Sequence, residues 1–258
     1  MNQARLGNME QPSLHPDRNL AMELVRATEA AAIRAYPFIG RGDKNAADGA
    51  AVDAMRAFLA TVNFQGRVVI GEGEKDDAPM LFNGEIVGSG EGPETDIAVD
   101  PIDGTSLTAA GRMNAISVIA VSDRGSMLDA SSVYKMDKLV TGSAGVGVVD
   151  IRKPLAENIR AYAKSAGKNA EDVLVAILDR DYNNHYIEQI REAGARTRLL
   201  RDGDVAGGIQ AARESSRVDM CVGIGGSPED STNRHKTAGD DLGTPKSSLK
   251  TSLEQSSL

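Results

Sequence analysis

Apolar residues follow a helical spacing twice near the start of the chain and then gather in short β-branched runs. Leu20, Leu24, Ala27, Ala31 and Ala35 share one helical face, with Asn19 placed as the cap and Pro37 as the stop. After the polar turn 40–44, Val52, Met55, Leu59 and Val62 repeat the spacing, which predicts a second helix opening at about Asp48. Past Gly66 the runs 68–70, 97–99 and 115–121 read as strands, the first ending at Gly71 and the second at Asp100. Two more strands are expected over 133–140 and 146–151, paired with each other.

From Pro154 the rhythm alternates. Helices are expected over 155–163, 186–193 and 205–213, and strands over 173–178, 196–200 and 218–222. Strand–helix alternation favours an α/β layered sheet. Residues 1–16 read as a disordered leader without the apolar stretch of a signal peptide, and 230–258 as a polar disordered tail.

Composition narrows the field. Aromatics are only 3% of the chain and Trp is absent, so the core has to rest on aliphatic side chains. A net charge of −8 with no basic block argues against a nucleic-acid surface, and no apolar run is long enough to span a bilayer. The cytoplasm is the expected address. Cys221 is the single cysteine, so the chain holds no intrachain disulfide and no cysteine-based zinc site, and its apolar run makes it a buried strand residue.

Chemistry concentrates where strands end. The string Asp100-Pro101-Ile102-Asp103-Gly104-Thr105 follows an apolar strand directly. Ligands of open α/β sheets collect at the carboxyl ends of strands. Asp100 and Asp103 across a proline-fixed turn can face one point, and the Gly104 and Thr105 amides can meet a phosphate oxygen. Carboxylate and phosphate oxygens suit Mg²⁺ or Mn²⁺. A strand exit with a helix-capping Asp is the ordinary alternative, although the whole string is much rarer than that. Val69-Ile70-Gly71-Glu72-Gly73-Glu74 is a second acidic strand end, equally readable as a solvated turn. Asp48, taken singly, reads as an N-cap.

Together these blocks form a pattern. Arg41-Gly42-Asp43-Lys44 with Asp48, Ile70-Gly71-Glu72-Gly73-Glu74, Asp77-Ala78-Pro79-Met80 and Asp100-Pro101-Ile102-Asp103-Gly104-Thr105 resemble the class II fructose-1,6-bisphosphatases. That family belongs to the lithium-sensitive, metal-dependent sugar and inositol phosphatases. The resemblance runs from about residue 17 to 229 and takes in Asp202-Gly203-Asp204 and Gly223-Ile224-Gly225-Gly226-Ser227-Pro228-Glu229.

The resemblance implies an αβαβα sandwich, C-terminally incomplete, with a metal- and phosphate-binding half over 17–151 and a sugar-phosphate-binding half over 152–229. It implies Asp48, Glu72, Asp100, Asp103 and Glu229 as ligands of Mg²⁺ or Mn²⁺, Thr105 with Asp48 to orient the attacking water, and Lys44 as a nearby cation. Asp103, Gly104, Thr105, Tyr134, Arg180, Asp202, Gly203, Asp204 and Gly226 would contact the sugar bisphosphate. The implied activity is hydrolysis of the 1-phosphate of fructose 1,6-bisphosphate, in gluconeogenesis. Sedoheptulose 1,7-bisphosphate, an inositol-type monophosphate, and an inactive form that only binds metal or sugar phosphate are the alternatives.

Three departures stand out. The family's Arg-Pro-Arg-His string is here Arg180-Asp181-Tyr182-Asn183, which removes one phosphate-binding cation. The segment at Tyr134 carries one extra residue. The family continues in α/β structure past the position of Glu229. The uncovered faces this would leave point to a homo-oligomer in which a partner chain covers them.

Overall fold

The computed structural model describes residues 19–71, 81–129 and 135–226. Helix α1 (Leu20–Ala35) starts as expected, with the Asn19 side chain accepting the Ala21 amide at 2.9 Å. Helix α2 (Lys44–Leu59) starts earlier than the sequence suggested. Asp43 is its cap, accepting the Ala46 amide at 2.9 Å, so Asp48 lies inside the helix and is buried. The alanines facing between α1 and α2 leave room for close helix packing.

Both helices cover one face of a four-stranded sheet ordered β2-β1-β3-β4, formed by β1 (Gln65–Ile70), β2 (Ile86–Val87), β3 (Glu94–Asp103) and β4 (Ile116–Asp123). Phe64, Met55, Leu59, Val68 and Ile97 fill the space between the layers. β1 and β3 run parallel, while β2 and β4 pair antiparallel to β1 and β3.

β3 does not stop at Asp100. It continues through Asp103, but with a register shift: Asp100 pairs with Val118 and Asp103 with Ile116. The partner strand spends one residue fewer than β3 does, which is a β-bulge at Pro101-Ile102. Pro101 has no N–H to give a ladder, so a bulge suits it. Residues three apart on a regular strand point to opposite faces. The extra residue cancels that, so Asp100 and Asp103 share one face of the sheet.

The second sheet is ordered β5-β8-β6-β7, from β5 (Lys135–Thr141), β6 (Leu174–Leu178), β7 (Arg196–Leu200) and β8 (Met220–Gly226). β6 is parallel to β7 and to β8, and β5 closes the edge antiparallel to β8. Helices α4 (Leu155–Ser165) and α5 (Asn184–Glu192) pack on the face that carries Val175, Ile177, Met220 and Val222. Helix α6 (Val205–Ala212) packs on the other, over Ala176 and Cys221. A Cβ on Gly207 would come within 2.8 Å of Leu200 and 3.3 Å of the Cys221 sulfur, so glycine is what lets α6 lie this close. The chain leaves β6 for β7 on one side and returns to β8 on the other. Right-handed crossovers in opposite directions put α5 and α6 on opposite faces and open a crevice at the carboxyl ends of β6 and β8.

The α/β class is as expected, and most elements fall within a few residues of their anticipated bounds. The strand expected over 146–151 is not one. Residues 143–145 form a 3₁₀ turn, Val148 and Val149 donate back to the Gly145 carbonyl, and Gly147 takes φ +76°. The glycines at 142, 145 and 147 fold that apolar run into turns, and β5 takes β8 as its partner instead. β8 extends through the glycines to Gly226. The expected leader and tail lie outside the described residues. Among the described residues no helix is long and apolar enough to cross a membrane.

Candidate active-site cleft

A cleft of ≈ 240 Å³ opens where the carboxyl end of β3 meets those of β6 and β8. Asp100, Asp103, Gly104 and Thr105 line it from the first sheet. Arg180, Asp202, Gly203, Asp204 and Gly226 line it from the second, together with Tyr182.

The two sides are tied by reciprocal hydrogen bonds. Asp103 Oδ2 accepts the Val205 amide at 3.2 Å, at the start of α6. Asp202 Oδ2 accepts the Ser106 amide at 3.0 Å, in the first turn of α3 (Thr105–Ala109). Each carboxylate therefore satisfies an orphan amide at the helix start on the opposite side. Gly104, in the left-handed region at φ +91°, turns the chain from β3 into α3. Gly203 has φ +69°, and a Cβ there would lie 2.7 Å from Asp103 Oδ1, so only glycine fits against that carboxylate.

Arg180 spreads over the same loop. Its Nη1 donates to the carbonyls of Arg201 at 2.6 Å and Asp179 at 3.1 Å, and its Nη2 pairs with Asp202 Oδ1 at 3.0 Å. Behind the cleft, the buried ammonium of Lys138 meets Asp204 Oδ2 at 2.7 Å. A Cβ on Gly225 would lie 2.6 Å from that carboxylate oxygen and 2.7 Å from that nitrogen. The fully buried side chain of Asn183 bridges β6 and β8, donating to the Leu178 and Ile224 carbonyls at 3.1 Å and accepting the Ile224 amide at 2.8 Å.

The structure thus gathers Asp100, Asp103, Gly104, Thr105, Arg180, Asp202, Gly203, Asp204 and Gly226 on one cleft. Asp48 and Lys44 are not on its lining. Asp48 is buried on α2, which packs on α3, and Lys44 is exposed at the first position of α2. Glu72, Tyr134 and Glu229 lie outside the described residues. Sequence reasoning missed Lys138, Asn183 and Gly225, because an isolated Lys, Asn or Gly in a strand or turn carries no local signal of its partner.

The donor set fits a hard divalent cation. Among the described residues the acidic side chains on the cleft are all aspartates, oxygen donors without competing His or Cys. These four carboxylates outnumber Arg180 and the Lys138 behind them, and would repel a phosphate unless a further cation offset them. Among the described residues no three acidic, His or Cys side chains stand close enough to form a complete metal cage. Asp100 and Asp103, brought onto one face by the bulge, supply two of the donors such a site needs.

Known proteins are similar to this chain over most of its length. The family described as bacterial fructose-1,6-bisphosphatase, glpX-encoded, matches residues 18–233. Fructose-1,6-bisphosphatase 1 class 2 of Escherichia coli strain K12 is 49% identical over 212 residues, covering 82% of this chain and 63% of that protein. The class 2 fructose-1,6-bisphosphatase of Shigella flexneri gives the same figures, 49% over 212 residues with 82% and 63% covered. The chain therefore spans a little under two thirds of the length of these relatives. A solved extragenic suppressor from Pyrococcus furiosus aligns over 85% of this chain and 82% of its own at a TM-score of 0.45 and 15% identity. The length of the family match and the identity to its curated members lead to one conclusion: the chain belongs to the bacterial, glpX-encoded fructose-1,6-bisphosphatase family.

Proposed function

We propose that the cleft hydrolyses the 1-phosphate of fructose 1,6-bisphosphate in the presence of Mg²⁺ or Mn²⁺, in gluconeogenesis. The observation that carries this is the β3 bulge, which aims Asp100 and Asp103 from one face into a cleft closed on its far side by Arg180 and the 202–204 loop.

Asp100 and Asp103 would hold the cation, with Asp48, Glu72 and Glu229 completing its ligands. Once bound, it supplies positive charge against the phosphoryl oxygens and makes water a stronger nucleophile. The rest falls to the chain's own groups. The Thr105 hydroxyl, at the start of α3, would orient a water toward the scissile P–O bond, and Asp48, on the helix that packs on α3, would share that role as the family resemblance implies. Lys44 adds positive charge near the phosphate. Asp202, Gly203 and Asp204 offer the sugar a polar wall whose position Arg180 and Lys138 fix. Water adds its oxygen to phosphorus, the bond to O1 of the sugar breaks, and a proton ends on the departing oxygen.

A panel of fructose 1,6-bisphosphate, sedoheptulose 1,7-bisphosphate and inositol monophosphate, each assayed for phosphate release with Mg²⁺ and with Mn²⁺, tests the assignment. Preference for fructose 1,6-bisphosphate is expected. Preference for either other substrate overturns the substrate, and substrate binding without turnover overturns the activity.

A further inference from the structure

Among the described residues Arg180 is the one cation that lines the cleft, and its positive charge is already offset by Asp202 at 3.0 Å. Four aspartates share that lining. A substrate with two phosphates brings a second dianion that lies away from Asp100 and Asp103 and still needs a positive partner.

Lys135 stands at the edge where that phosphate would lie. It is the cross-strand partner of Gly226, which lines the cleft. Its Nζ sits 3.9 Å from the centroid of the Tyr182 ring, and Tyr182 lines the cleft as well. Two independent relationships, one of backbone register and one of side-chain contact, therefore place this exposed ammonium at the rim. A cation over a ring face keeps its full charge and its N–H donors. The ring restricts a long, flexible side chain without neutralising it, as a carboxylate partner would, and so lowers the entropy cost of holding an anion.

We infer that Lys135, steered by the face of Tyr182, is the cation that binds the phosphate of the sugar bisphosphate farther from Asp100 and Asp103. This makes it a specificity residue for a bisphosphate over a monophosphate, and the inference rests on the bisphosphatase reading above.

Calorimetric titration of the full chain with Mg²⁺ tests it, using fructose 1,6-bisphosphate and fructose 1-phosphate as the two ligands. Lys135→Gln should weaken the bisphosphate about tenfold, the scale of one charge-assisted contact, and leave fructose 1-phosphate unchanged. Tyr182→Phe, which keeps a ring face, should bind like wild type, whereas Tyr182→Leu should lose part of the same discrimination. In turnover the loss should fall on KM with kcat preserved. Equal weakening of both ligands by Lys135→Gln, or none of either, overturns the role of Lys135 while leaving the proposed activity standing. Wild type that neither binds nor hydrolyses the bisphosphate removes both.

Discussion

Asp103 Oδ2 accepts the Val205 amide at 3.2 Å across the cleft, so one carboxylate both faces the candidate metal site and anchors the start of α6. Substitutions can separate those two duties. Asn keeps an acceptor oxygen for Val205 but loses the negative charge a cation needs. Asp103→Asn should lower turnover at least about 100-fold with less than about 1 kcal/mol lost from stability. Asp103→Ala should lose turnover equally and in addition about 1–3 kcal/mol, because a buried amide is left without its acceptor. Phosphate release and urea unfolding of the two variants check this, and equal stabilities would contradict the anchoring role.

Lys138 and Asp204 form a second relationship, buried behind the cleft at 2.7 Å. Removing one member strands the other charge in a low-dielectric site. Lys138→Met should destabilise the chain by about 3–5 kcal/mol. Adding Asp204→Leu should recover a large part of that loss, since a buried pair replaced by apolar groups is often neutral. Denaturant midpoints of the single and double variants decide it. A double variant no more stable than Lys138→Met would show that the pair is not what Lys138 provides.

Gly203 and Gly194 share a positive φ, +69° and +85°, but differ in surroundings. A Cβ at Gly203 would meet the Asp103 carboxylate at 2.7 Å, whereas at Gly194 nothing lies within 4 Å. Both Ala variants should lose about 1–2 kcal/mol to the left-handed backbone. Only Gly203→Ala should also raise the metal concentration for half-maximal activity, by about tenfold, within the range expected when a ligand's support is lost. A metal titration shifted equally in the two variants would contradict a specific contact with Asp103.

Much of this was legible in the residues. The aliphatic spacing of α1 and the strand–helix alternation after Pro154 each gave the right kind of element, and the residues of the acidic string at the end of β3 line the cleft. What escaped was set by partners distant in sequence. The bulge at Pro101-Ile102 is defined by Ile116 and Val118, so local spacing showed a turn where the strand continues. The run from Val146 to Ile151 has strand composition, but the 3₁₀ turn at 143–145 and Gly147 at φ +76° fold it into turns, and β5 pairs with β8 instead. Asp48 resembled a cap because Asp43, the residue that does the capping, lies only one helical turn and a fraction earlier. Lys138, Asn183 and Gly225 gain their meaning solely from the strands they join.

Two tyrosines predict how stability should respond to alkali. Burial, reinforced by the Asp219 carboxylate, pushes the Tyr162 hydroxyl up to about 12, and burial together with the hydrogen bond to Asp137 does the same for Tyr186. The unfolded chain releases these protons near pH 10, whereas the folded chain keeps them to about pH 12. Between those values the unfolded state binds fewer protons, so stability should be intact below pH 10 and fall as pH rises toward 12. Urea unfolding from pH 9 to 12 should show that decline, with a shallower slope in Tyr162→Phe and shallower still with Tyr186→Phe added. Identical slopes in wild type and both variants would contradict the burial of these hydroxyls.

The most direct test of the account is phosphate release from fructose 1,6-bisphosphate by the purified chain, with Mg²⁺ or Mn²⁺ and with a chelator, in wild type and Asp100→Asn. Asp100 Oδ1 also accepts the Ile102 amide at 2.9 Å, an interaction Asn retains, so the variant should fold like wild type. Metal-dependent release by wild type, abolished by the chelator and reduced at least about 100-fold in Asp100→Asn, is the predicted result. Equal release by both proteins, or release that persists without metal, would contradict it.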